Sequence, residues 1–237
     1  MTSDQLRLRA LSILDRIGGD WDAFDALSDE PGRRVHSLFA GLYRCTTQSW
    51  LSHLTAHPNP AFAYLVIIRF YDLYRKVTVA ISANDTQNLP HYWRRYFNLA
   101  KSQTIKTPIS HHLVLISLAT WAHTRHDLAI AVRQAYEDYK TQFGEKPDLE
   151  TYKSSVTGGE TGAAFCEAAL DFIEIHHRAQ IGWRHIVLGF YSANIRILRF
   201  VWLPVFQSWR KAAWNDACSW IEAGTSRKTV SVPGNPG

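Results

Sequence analysis

The sequence predicts an all-α fold: one globular domain of seven to nine helices over residues 1–223, with no sheet, followed by a flexible C-terminal tail over 224–237. Three observations carry that expectation. Apolar residues recur mostly at three- and four-residue spacing, which lines one face of a helix. No run of alternating apolar and polar residues reads as a strand. Proline and glycine punctuate the chain at intervals close to one helix length. Hydrophobic residues make up 46% and charged residues 20%, enough apolar surface for a sizeable core and too little charge for a disordered chain.

The elements follow in order. "MTSDQLRLRALSILDRIGG" reads as an amphipathic helix with Ser3 as N-cap and Gly18-Gly19 as its stop; it lacks the apolar run of a secretory leader. "WDAFDAL" reads as a short helical turn. Pro31-Gly32 opens a longer helix to about residue 57, where "HPNP" ends it. A strongly apolar helix is expected over 61–82. "ANDTQNLP" is a loop, and Pro90 starts a helix through about residue 102. Pro108 begins a segment whose pattern continues to Phe143, long for a globular helix, so a break is expected near Thr124. Residues 143–160, with "GEKPD" and "TGGE", read as the least ordered interior stretch. Two more helices are expected over 161–180 and 183–223, the second kinked at Pro204. The tail "GTSRKTVSVPGNPG" has little to bury and reads as dispensable.

Composition excludes several functions. The net charge of +5 is scattered in pairs such as Arg33-Arg34 and Arg94-Arg95, with no stripe for a phosphate backbone, so nucleic acid is not an expected partner. Cys45, Cys166 and Cys218 share no CxxC spacing and read as free thiols of a reducing compartment. The apolar windows at 61–68 and 195–206 are too short or too interrupted by arginine to span a bilayer, which places the chain in the cytoplasm. No nucleophile elbow, Walker loop or dinucleotide fingerprint is present. Aromatics reach 13%, suiting either a thick core or an apolar ligand pocket.

The segment "HHLVLISLATWAHTRHDLAIAV" puts four histidines and an aspartate into an otherwise apolar helix. His123 and His126 are three apart and His123 and Asp127 four apart, so all three can share one face. His112 sits about three turns from His123 and cannot join it without a break. Such a cluster allows Asp127 to orient an imidazole that works as acid or base. No cofactor is expected; the alternative reading puts a divalent metal such as zinc on the same cluster, with Glu167, Asp171 or Glu174 adding a fourth ligand. The bland alternative has Asp127 capping a helix with the histidines packed at its end. Glu167, Asp171, Glu174 and Arg178 form a polar stripe that equally reads as a solvated face. Trp202, Phe206, Trp209 and Trp214 line a pocket or fill the core.

Five stretches resemble a mainly bacterial, all-helical family catalogued as domain of unknown function 5995. "LFAGLYRCTT" is similar to its Phe-x-x-x-Tyr-x-x-Thr helix through Phe39, Tyr43 and Thr46. "RFYDLYRKV" matches through Phe70 and Tyr74, and "LPHYWRRYF" through Pro90, Trp93 and Phe97. "AHTRHDLAIAV" resembles its most distinctive motif, with His123, His126, Asp127 and Leu128 in place, and "SWRKAAWNDA" resembles its closing helix. Ala40, Trp121 and Arg125 stand where the family pattern has asparagine, which implies a more aromatic, less polar pocket. The resemblance supports a site at His123, His126 and Asp127 and implies no reaction.

The expected function is a cytoplasmic enzyme of specialised metabolism acting on a small apolar or aromatic molecule by cyclisation, isomerisation, elimination or hydrolysis. His123 is the expected acid or base, Asp127 its orienting partner and His126 a second proton carrier. Tyr43, Tyr74, Trp93 and Trp121 are the expected pocket walls. His123 and Asp127 are expected to meet at the helix break, facing an aromatic-lined cavity. Asp127→Asn should remove function at little cost in stability, and His111 should tolerate substitution. The alternatives are a metal-dependent hydrolase using the same three residues as ligands, and a non-catalytic helical protein binding an apolar ligand or partner.

Overall fold

A computed structural model describes residues 1–55, 57, 59–103, 109–158, 162, 168 and 203–224. Its regular elements are all helical: α1 (Ser3–Asp25), α2 (Arg33–Leu54), α3 (Ala61–Ser82), α4 (His91–Ala100), α5 (Ile109–Trp121), a π-helical turn (Ala122–Asp127), α6 (Leu128–Phe143) and α7 (Leu149–Thr157). A further helix covers 203–224. No strand occurs among the described residues, and the chain is a single all-α domain.

The most apolar segment becomes the centre. Every residue from Ala61 to Ile68 is buried, as a helix apolar on all sides must be. α3 packs against α1, α6 and α7, and α2 against α1 and α5. Farther along α3, charge is admitted where it finds a partner: Asp138 on α6 accepts from Nε and Nη2 of Arg69, a paired geometry that clamps the two helices. None of the described helices is long and apolar enough to cross a membrane.

Capping explains most boundaries. Thr2, not Ser3, caps α1 in a reciprocal capping box with Gln5. Gly18-Gly19 does not stop α1, which continues through "WDAFD" to Asp25. Leu6, Ala10, Ile13, Ile17 and Phe24 form one buried stripe along it, and their burial outweighs the roughly 1 kcal/mol that each mid-helix glycine costs. Gly32 precedes α2 with φ of 81°, a left-handed conformation that a side chain resists, and a Cβ there would sit 3.0 Å from the Ala100 carbonyl oxygen. α4 is short but strongly sided: Trp93, Tyr96, Phe97 and Ala100 all turn inward.

Residues 143–158 are more ordered than the sequence suggested. α7 lies within them, capped by the Asp148 carboxylate accepting from the backbone N–H groups of Glu150 and Thr151. The expected helix over 161–180 apart from residues 162 and 168, residues 183–202 of that over 183–223, the polar stripe of Glu167, Asp171, Glu174 and Arg178, Cys166, Trp202 and the tail after residue 224 lie outside the described residues. Of the C-terminal aromatics that are described, Trp214 is buried in the core while Phe206 and Trp209 are half-buried.

Candidate functional site

The expected break near Thr124 takes the form of the π turn. α5, the turn and α6 follow one another without a gap, and the turn's wider winding spans Ala122 to Asp127. Such turns are rare and occur often at functional sites. Here the turn brings Ala122, His123, Thr124 and Asp127 to the inside, and leaves Arg125 to reach Asp216 on the C-terminal helix at 2.6 Å.

Asp127 is 1% exposed, and its carboxylate meets three donors. Oδ2 accepts from His123 Nδ1 and from Trp93 Nε1, each at 2.9 Å, and Oδ1 accepts from the Tyr92 hydroxyl at 2.5 Å. The bland alternative, Asp127 capping a helix, does not hold: it makes no side-chain cap, and its partners are three side chains. Two come from successive residues of α4, which therefore holds both oxygens at once.

His123 sits in an aromatic box. Phe70 stacks on it with centroids 3.6 Å apart and planes 9° from parallel, and Tyr43 meets it edge-on at 4.8 Å. Phe39, Tyr74 and Trp93 complete the walls at about 6 Å. Burial pushes the His123 pKa below its ordinary value; the hydrogen bond and negative charge of Asp127 oppose the shift without reversing it. A neutral ring donating through Nδ1 leaves Nε2 as a bare acceptor. That atom is buried without a hydrogen-bond partner, and so is the hydroxyl of Tyr74, while the buried Tyr43 hydroxyl has Thr47 as its polar neighbour. Two orphaned polar atoms on neighbouring rings are unusual, because burying such groups unmade is costly. Burial raises both tyrosine pKa values well above normal, so the phenols stay protonated and can donate.

The structure thus brings together His123, Asp127, Tyr43, Tyr74 and Trp93. His126 and Trp121 lie to one side. His126 stacks on Tyr92 at 4.6 Å and packs edge-on against Trp121 at 4.8 Å, and its buried Nε2 also lacks a partner. Its link to Asp127 runs through the Tyr92 ring. Among the described residues no group of three or more His, Cys, Asp and Glu side chains is placed to hold a metal ion. Two functional contacts were missed in the sequence. Phe70 was detectable, lying four residues before Tyr74 on the same face of α3. Tyr92 was not, since only the crossing of α4 against the π turn gives it a role.

Residues 11–153 match a family described as a family of unknown function, DUF5995. The chain belongs to this family. The DUF5995 match covers every site residue named above and stops before the "SWRKAAWNDA" stretch. Neither a curated protein nor a solved structure matches the chain. Ala40 is fully buried on α2, Trp121 walls His126, and Arg125 carries the ion pair to Asp216.

Proposed function

We propose that the chain is a cytoplasmic enzyme of specialised metabolism that moves a proton on a small apolar or aromatic molecule. The observation that supports this reading is the bare, buried Nε2 of His123, backed through Nδ1 by Asp127, in a ring walled by Tyr43 and Tyr74. His123 Nε2 takes the proton, Asp127 holds the ring's tautomer and offsets the charge that forms, and Tyr43 or Tyr74 donates to the oxygen where negative charge develops. A substrate must part the aromatic box, because His123 is only 3% exposed. Isomerisation, elimination, cyclisation and hydrolysis all fit this proton inventory. The metal-dependent alternative requires zinc on His123, His126 and Asp127; metal analysis of untagged protein separates it.

The test is a screen of small aromatic ketones, esters and epoxides followed by mass spectrometry, with His123→Gln and Asp127→Asn alongside. Turnover by the native chain and loss in both variants support the reading. Turnover unchanged in His123→Gln overturns it. One observation favours the non-catalytic alternative: the void beside Tyr74 and Trp93 holds only about 10 Å³. In that case the His–Asp network serves packing, and melting temperature and any ligand binding fall together in both variants.

A further inference from the structure

A surface cleft of about 690 Å³ opens between α1 and α3, next to the start of α2. That volume is in the range of small-molecule sites. Phe24, Tyr71 and Leu27 give it an apolar lining, the last an exposed leucine. Its charged lining is Arg16, Arg33, Arg75, Asp20 and Asp72. Asp20 Oδ1 meets Arg75 at 2.6 Å while its buried Oδ2 has no hydrogen-bond partner. Asp72 meets Arg69 and Arg33 meets the exposed Glu30, each at 3.4 Å, and Arg16 meets no carboxylate among the described residues. The lining therefore holds one more guanidinium than carboxylate, with Arg16 unpaired and Arg33 held by a long contact. Gly19 also lines it, with nothing within 4 Å of where a Cβ would be, so a side chain there would take up open space.

The cleft also abuts the His123 box. Phe24 lines both the cleft and the void of about 10 Å³ behind it. That void is also lined by Phe39, Tyr74 and Trp93, which surround His123.

We infer that this cleft binds a small molecule carrying a carboxylate or phosphate on an apolar body. Arg16 and Arg33 take the anion, and Phe24, Leu27 and Tyr71 take the body, which points toward His123. The inference names the substrate class for the function proposed above and rests on that reading only for the link to His123.

The experiment titrates the full-length protein with phenylacetate, phenyl phosphate and neutral phenylacetamide by ligand-observed NMR and calorimetry. At least one anion should bind with Kd of roughly 1–10 mM, as a fragment of that size can, and phenylacetamide at least about fivefold more weakly. The double variant Arg16→Gln, Arg33→Gln should weaken anion binding about tenfold or more with unchanged melting temperature. Which anion binds distinguishes a carboxylate from a phosphate substrate. Equal binding of the neutral amide, an unaffected double variant, or no binding by any probe overturns the inference. The same titration on Asp127→Asn keeps the two readings apart. Retained binding there without any His123-dependent turnover in the native chain sinks only the catalytic proposal, and His123-dependent turnover without cleft binding sinks only the cleft.

Discussion

Asp127 is the most informative position to perturb, because its two oxygens do unequal work. Trp93 Nε1 is a donor only, and it shares Oδ2 with His123 Nδ1. Tyr92 donates to Oδ1 through a hydroxyl that can rotate and accept instead. An asparagine oriented with its oxygen toward Trp93 and His123 and its amide toward Tyr92 keeps three hydrogen bonds. Hydrogen bonds to a charged group are worth roughly 1.5–3 kcal/mol and neutral ones roughly 0.5–1.5, so the exchange forfeits about 1 kcal/mol each, partly offset because no charge is buried. The expected cost is about 2 kcal/mol, more than the small loss the sequence suggested. Asp127→Ala loses all three bonds, strands the Trp93 and His123 donors in the core and leaves a void, for roughly 4–6 kcal/mol. For a chain of this length about 1 kcal/mol moves the midpoint by roughly 2–4 °C, so asparagine should lower Tm by about 4–8 °C and alanine by about twice that or more. Urea unfolding at neutral pH, followed by circular dichroism, measures both. Equal costs for the two variants, or an alanine cost under about 1 kcal/mol, would refute the view that the carboxylate anchors this network.

Acid should destabilise the fold from an unusually high pH. Burial lowers the pKa of His36 to about 3 and lowers that of His123, so below about 6.5 the unfolded chain binds more protons and stability falls as pH drops, by up to about 1.4 kcal/mol per unit for each group. Urea midpoints at pH 7.5, 6 and 5 should decline steadily, and His36→Gln should flatten the decline. The two glycines beside α2 and the cleft should respond with opposite signs: Gly19→Ala meets nothing within 4 Å and should gain about 0.5–1 kcal/mol, whereas Gly32→Ala, at φ of 81° and against Ala100, should lose about 2 kcal/mol or more. Thermal melts of the two variants check the signs. Asp216→Asn, which breaks the partly exposed pair with Arg125, should cost under about 1 kcal/mol, and a larger loss would mean that the π turn depends on the C-terminal helix.

What the sequence determined by itself is what local periodicity can carry. The helical class followed from apolar spacing, and α3 was expected over the same residues that the structure assigns, because a continuous apolar run bounded by "HPNP" and "ANDTQ" admits little else. The pairing of His123 with Asp127 was legible too, since four-residue spacing in a helix places two side chains together whatever surrounds them. The end of α1 was not, because Gly18-Gly19 is a stop signal only until Ile17 and Phe24 are buried against neighbours the local pattern does not contain. Nor was α7, whose signal is one capping aspartate within a polar stretch. Tertiary structure alone decided which oxygen of Asp127 meets which donor, that Tyr92 stands between Asp127 and His126, and that Phe70 rather than Trp121 stacks on His123. Each of these depends on the position at which one helix crosses another. Crossing is set by the packing of whole faces, and no window of sequence holds both faces at once.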